Sequence, residues 1–83
     1  MKVQVRYFAS LREAFGAQQS LDMPAGSTLG ALRTALAASS PRHADLLAPG
    51  RAVRCALNQR MCDEATALVD GAEVAFFPPV TGG

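Results

Sequence analysis

The fold turns on the last strand of the chain and the tail beyond it, Glu73 to Gly83, EVAFFPPVTGG. Glu73, Ala75 and Phe77 fall on one side of an extended segment, Val74 and Phe76 on the other. That alternation has the period of a strand with one buried face. It separates two adjacent aromatics: Phe76 belongs to a core and Phe77 faces outward. Asp70-Gly71 turns the chain into this strand, and Pro78-Pro79 end it, because proline has no amide hydrogen to offer a ladder.

The opening of the chain repeats the pattern. From Lys2 to Phe8, Val3, Val5 and Tyr7 lie inward and Lys2, Gln4 and Arg6 outward, a half-buried strand and not a signal peptide. Phe8 shares the parity of the polar face. If the first and last strands are neighbours, Phe8 and Phe77 make an outward apolar patch where the tail begins. Exposed aromatic patches of this kind mark partner sites.

Between these strands the sequence punctuates itself. Ser10-Leu11-Arg12-Glu13 is a capping-box pattern for a short helix that Gly16 ends. Gln18 to Met23 alternates again, with Leu21 and Met23 inward, and pairs antiparallel with the first strand. Ser27 or Thr28 caps the main helix, whose Leu29, Leu32 and Leu36 recur on one face. Ser40-Pro41 caps a further helical turn or two through Leu47. Ala52 to Leu57 is a third strand, with Val53, Cys55 and Leu57 inward. Asn58-Gln59 turns into a short strand at Arg60 to Cys62, followed by an irregular stretch. The expected order is β–(short α)–β–α–β–β–β, an α+β fold with a mixed sheet of about five strands and one main helix on one face. Residues 1–77 form the domain and residues 78–83 an extended, flexible tail.

Bulk properties narrow the function classes. Eighty-three residues make one domain, and an apolar fraction of 49% argues against disorder. The net charge is +1 with the basic residues scattered, so nothing marks a nucleic-acid or anionic-membrane footprint. No apolar run approaches the roughly 20 residues that cross a bilayer. Two cysteines make no disulfide scaffold, and the expected setting is the reducing cytoplasm.

Side-chain chemistry is sparse. His43, the single histidine, reads as a surface residue. Cys55 reads as a small core hydrophobe and Cys62 as a more exposed thiol. Cys-x6-Cys lacks metal-ligand spacing, and Asp63-Glu64 reads as a solvated turn. No phosphate loop or nucleophile elbow is present. The remaining reactive group is the α-carboxylate of Gly83. Pro78 and Pro79 favour extended polyproline geometry, Val80 and Thr81 are stiff, and Gly82 and Gly83 lack Cβ atoms. Such a tail reaches roughly 20 Å beyond Phe77 and passes a narrow channel.

From Asp70 to Gly83 the chain closely resembles the small subunit of molybdopterin synthase. Phe8-Ala9, Leu11-Arg12-Glu13 and Leu57-Asn58-Gln59 extend the likeness along its length. The resemblance implies a ubiquitin-like β-grasp fold with adjacent, parallel first and last strands. It further implies that an E1-like adenylyltransferase uses ATP to activate the Gly83 carboxylate. A sulfurtransferase system then leaves a thiocarboxylate there. The large synthase subunit, in a heterotetramer, takes up Pro78, Pro79, Val80, Thr81 and Gly82 and passes the sulfur to cyclic pyranopterin monophosphate. Phe8, Met61 and Phe77 are the implied apolar contacts, although alternation alone leaves the face of Met61 open. No cofactor or metal is expected on this chain, and no catalytic side chain. Ala72 departs from the acidic residue often found in the family's Asp-Gly-Asp-Glu turn. The rival readings are the sulfur carrier of thiazole synthesis, a ubiquitin-like modifier that joins lysines, and a plain binding module.

Overall fold

A computed structural model of the protein describes residues 1–48 and 52–78. Its elements are β1 (Lys2–Tyr7), α1 (Ala9–Phe15), β2 (Gln18–Asp22), α2 (Leu29–Ala37), α3 (Pro41–Leu47), β3 (Arg54–Leu57), β4 (Arg60–Met61) and β5 (Glu73–Phe77). The five strands form one sheet in the order β2-β1-β5-β3-β4, so the last strand is the central one. β1 runs antiparallel to β2 and parallel to β5, and β3 is antiparallel to both β5 and β4.

The register follows the alternation. Val5 stands beside Val74 and Tyr7 beside Phe76, so four inward side chains of two parallel strands share one layer. Leu29, Leu32 and Leu36 of α2, all fully buried, join that layer in one core cluster, and Leu11 and Leu47 belong to it as well. Each such side chain contributes about 1.5–3 kcal/mol on burial, which is how a short chain assembles a sufficient core.

Capping settles the helices. The Thr28 hydroxyl accepts from the Ala31 amide at 3.1 Å, and the Ser40 hydroxyl accepts from the His43 amide at 3.1 Å. The irregular stretch before β5 completes the start of α2: the Glu64 and Thr66 carbonyls accept from the Gly30 and Leu29 amides, each at 2.9 Å. Gly30 allows that approach, since a Cβ there would meet the Glu64 carbonyl oxygen at 3.1 Å.

Several boundaries differ from the sequence reading. α1 begins at Ala9, and Phe8 occupies the cap position without a side-chain cap, so Ser10 lies inside the helix. The Phe8 amide donates to the Phe76 carbonyl at 3.3 Å, and the Phe8 carbonyl accepts from Leu11. The sheet therefore dictates the turn into α1, with Ala9 at φ 53, and a capping box has no role. β3 starts at Arg54, two residues after Ala52, and β4 ends at Met61.

Candidate partner face and tail root

One side of the sheet carries the helices, and the other carries the residues of outward parity. Phe8 and Phe77 meet there. Their ring centroids are 4.8 Å apart and their planes 12° from parallel, an offset stack at the end of the central strand. The hydrogen bond from Phe8 to Phe76 holds the first ring beside the second. Both rings are half-buried, and Pro78, also half-buried, follows Phe77 directly.

Charged stems frame the pair. The Arg6 guanidinium lies over the Phe8 ring at 5.7 Å, within cation–π range. Arg6 also approaches Glu73 at 3.8 Å, a largely solvated pair of small energetic weight. Across the ladder Arg54 stands directly opposite Phe77. Sequence reasoning missed Arg6 and Arg54 as neighbours of the rings. The parity of Arg6 was visible, but the alignment of Arg54 with Phe77 needs the β3–β5 register.

The register also assigns Met61 to a face. Met61 opposes Ala56, Ala56 opposes Ala75, and Ala75 precedes Phe77 by two residues, so all four share the outward side. Met61 is 60% exposed, whereas Ala56 is buried in the lane between its neighbours. The three apolar residues singled out from the sequence thus lie on one face, Phe8 and Phe77 in contact and Met61 toward the β4 edge. Pro79, Val80, Thr81, Gly82 and Gly83 lie outside the described residues.

The other singled-out side chains fall elsewhere. Cys55 is buried, and burial pushes its thiol up to about 11. Cys62 is half-buried. Both border an open pocket of about 430 Å³ beside Val53, Arg54, Met61, Asp63 and Glu64. His43 corrects the sequence reading: it is half-buried and stacked on Phe15, with centroids 3.8 Å apart and planes 10° from parallel. The fold-back of α3 brings it to the edge of Tyr7. Its Nδ1 lies 2.7 Å from the Ser40 hydroxyl, while Nε2 is buried without a hydrogen-bond partner. Desolvation lowers its pKa below 6.5. Among the described residues no group of three His, Cys, Asp or Glu is placed to hold a metal ion. None of the described helices is long and apolar enough to cross a membrane.

A main helix laid across a five-stranded mixed sheet, with parallel first and last strands at its centre, makes this a ubiquitin-like β-grasp protein. SAMP1, a small archaeal modifier protein of Haloferax volcanii, superposes with a TM-score of 0.83 at 25% identity, over 100% of both chains. A chain of the complex of subunits 1 and 2 of molybdopterin-converting factor from Helicobacter pylori matches with a TM-score of 0.70 at 28% identity, again over 100% of both chains. In sequence, the chain is 43% identical to the molybdopterin synthase sulfur carrier subunit of Escherichia coli (strain K12), over 98% of this chain and 99% of that protein. The chain belongs to the ThiS family, which matches residues 5–83.

Proposed function

We propose that this chain is a sulfur carrier in molybdenum cofactor biosynthesis, a protein co-substrate and not an enzyme by itself. The observation that carries the reading is the root of the tail. Phe77 is stacked on Phe8 at the end of the central strand, and Pro78 follows Phe77 directly. A partner that covers the rings receives the residues after Pro78 in its interior. The names of the Escherichia coli relative and of the Helicobacter pylori complex support the same conclusion.

The reacting group is the Gly83 carboxylate. In an adenylyltransferase its oxygen attacks the α-phosphorus of ATP and pyrophosphate leaves, which turns an inert carboxylate into a mixed anhydride. Sulfur supplied by a sulfurtransferase system displaces AMP and leaves a thiocarboxylate. ATP belongs to the activating enzyme, and this chain holds no cofactor. The large synthase subunit then covers Phe8, Phe77 and Met61 and draws in Pro79, Val80, Thr81 and Gly82 in extended form. The sulfur passes to cyclic pyranopterin monophosphate, and two such deliveries build a dithiolene.

Intact mass of the chain after incubation with its activating enzyme, ATP and a sulfur source tests the proposal. Replacement of one carboxyl oxygen by sulfur is the expected result, and an unchanged mass sinks it. The likeness to SAMP1 favours a second reading, in which the activated carboxyl acylates lysines of other proteins. Lysine-linked adducts without sulfur exchange would select that modifier role.

A further inference from the structure

The β3–β4 hairpin pairs Leu57 with Arg60 and Ala56 with Met61. One step further from the turn, Cys55 stands opposite Cys62, and the Cys62 amide donates to the Cys55 carbonyl at 3.3 Å. Directly opposed residues of an antiparallel pair project to the same side, and a hydrogen-bonded pair sits about 5.5 Å apart at Cα. A disulfide spans about 4.4–6.8 Å between Cα atoms, which this register meets, and about 3.5–4.5 Å between Cβ atoms, so closing it draws the two β-carbons together by roughly an ångström. Both side chains lie on the inner side of the sheet: Cys55 belongs to the core and Cys62 packs against its rim.

Their access differs. Cys55 is 4% exposed, and burial keeps its thiol protonated, with a pKa of about 11. Cys62 is half-buried, and the open pocket that both residues border gives a small oxidant a path to it. An accessible thiol that reacts first, beside a buried thiol that can only follow, is the arrangement a two-step oxidation needs.

We propose that Cys55 and Cys62 form a reversible thiol–disulfide site, closed by hydroperoxides and reopened by small monothiols. The Cys62 thiolate attacks a peroxide oxygen, the O–O bond breaks, and hydroxide leaves to become water. Cys62 is then a sulfenic acid. The Cys55 sulfur attacks that sulfur, the S–O bond breaks, and a second water leaves with the Cys55 proton. For hydrogen peroxide, two thiols become one disulfide and the oxidant becomes two waters. Two equivalents of monothiol reverse the bond by exchange and are themselves oxidised to a disulfide. The cross-link joins β3 to β4 through the pair next to Met61 and fixes the edge of the outward face. This inference is independent of the sulfur-carrier reading, because neither thiol takes part in the chemistry at Gly83.

The test treats the reduced full-length chain with hydrogen peroxide, alkylates the remaining thiols and records intact mass. The expected product is a monomer lighter by two hydrogens that carries no alkyl groups and returns to the starting mass with excess 2-mercaptoethanol. Cys55→Ala should stop with one or more oxygens added at Cys62, and Cys62→Ala should lose thiol at least tenfold more slowly than the parent. Oxygen adducts on both cysteines of the parent, without the loss of two hydrogens, overturn the proposal. A disulfide-linked dimer as the main product overturns it equally.

Discussion

His43 packs its ring on Phe15 and turns Nε2 into the interior, where it has no partner. The Ser40 hydroxyl accepts from the His43 amide, so its own hydrogen is free for Nδ1, and the tautomer that satisfies both contacts carries its proton on Nε2. Charging this ring places a cation in an apolar stack and at the start of α3, where the helix dipole also opposes it. The folded pKa is lowered below the unfolded value of 6.5, so the unfolded chain binds the extra proton. Stability is therefore full above pH 6.5 and falls as pH drops through the lowered folded pKa. Urea unfolding at a series of pH values should show this decline, and His43→Phe should flatten it; an identical slope in the variant refutes the assignment. Gln59 gives a second residue-scale prediction. It follows Asn58 in a tight hairpin turn, both at positive φ, 70 and 48. Gly at the second position of such a turn is preferred, and an L-residue there costs about 1 kcal/mol. Gln59→Gly should raise Tm by about 4–8 °C in calorimetry, the shift that 1 kcal/mol gives a domain of this size.

Arg33 ties three elements together. It projects from α2, is 2% exposed, and donates through Nε to the Leu47 carbonyl at 2.8 Å and through Nη2 to the Ala48 carbonyl at 2.6 Å. Its Nη1 reaches Glu64 at 3.1 Å. The end of α3 and the stretch leading to β5 are thus fastened to the main helix by one guanidinium. Arg33→Met keeps the apolar stem but leaves two carbonyls without their donor, so a loss of about 2–4 kcal/mol is expected in urea unfolding. A change below about 0.5 kcal/mol would mean that water replaces the guanidinium at no cost. Elements of this kind also show where sequence reading works. The strands were legible because period-2 alternation is local, and Thr28, Ser40, Pro41 and Asp70-Gly71 acted through their immediate neighbours. The start of α1 was not legible, because the carbonyl that holds Phe8 lies on a strand near the other end of the chain. The same holds for Arg33, whose sequence neighbours give no sign that its partners lie in α3 and at Glu64. His43 was misplaced for a related reason: its surroundings come from α1 and β1, and no local pattern reports how α3 folds back.

Over the whole molecule, the parallel pairing of β1 with β5 makes one surface from two distant segments. It sets Phe8 beside Phe77 at the end of the strand that occupies the middle of the sheet. This much of the candidate site was legible, since parity split Phe76 from Phe77; the face of Met61 was not, because it depends on hairpin register. On the proposed function the arrangement separates two tasks, holding a partner and delivering a terminus, and so predicts that they fail independently. Phe8 and Phe77 are half-buried and stacked on each other, outside the core beneath them. Phe8→Ala with Phe77→Ala should therefore cost the fold about 1–2 kcal/mol. The same change should weaken binding of a molybdopterin synthase large subunit by about 2–4 kcal/mol, at least tenfold in Kd. Removal of Gly83 should do the reverse: binding and Tm stay within experimental scatter of the parent, while sulfur loading, read as intact mass, is lost. Titration calorimetry and mass spectrometry on the same two variants separate the cases. If removing Gly83 leaves loading intact, the terminal carboxyl is not the reacting group. If the double alanine variant binds as tightly as the parent, the aromatic pair is not the holding surface.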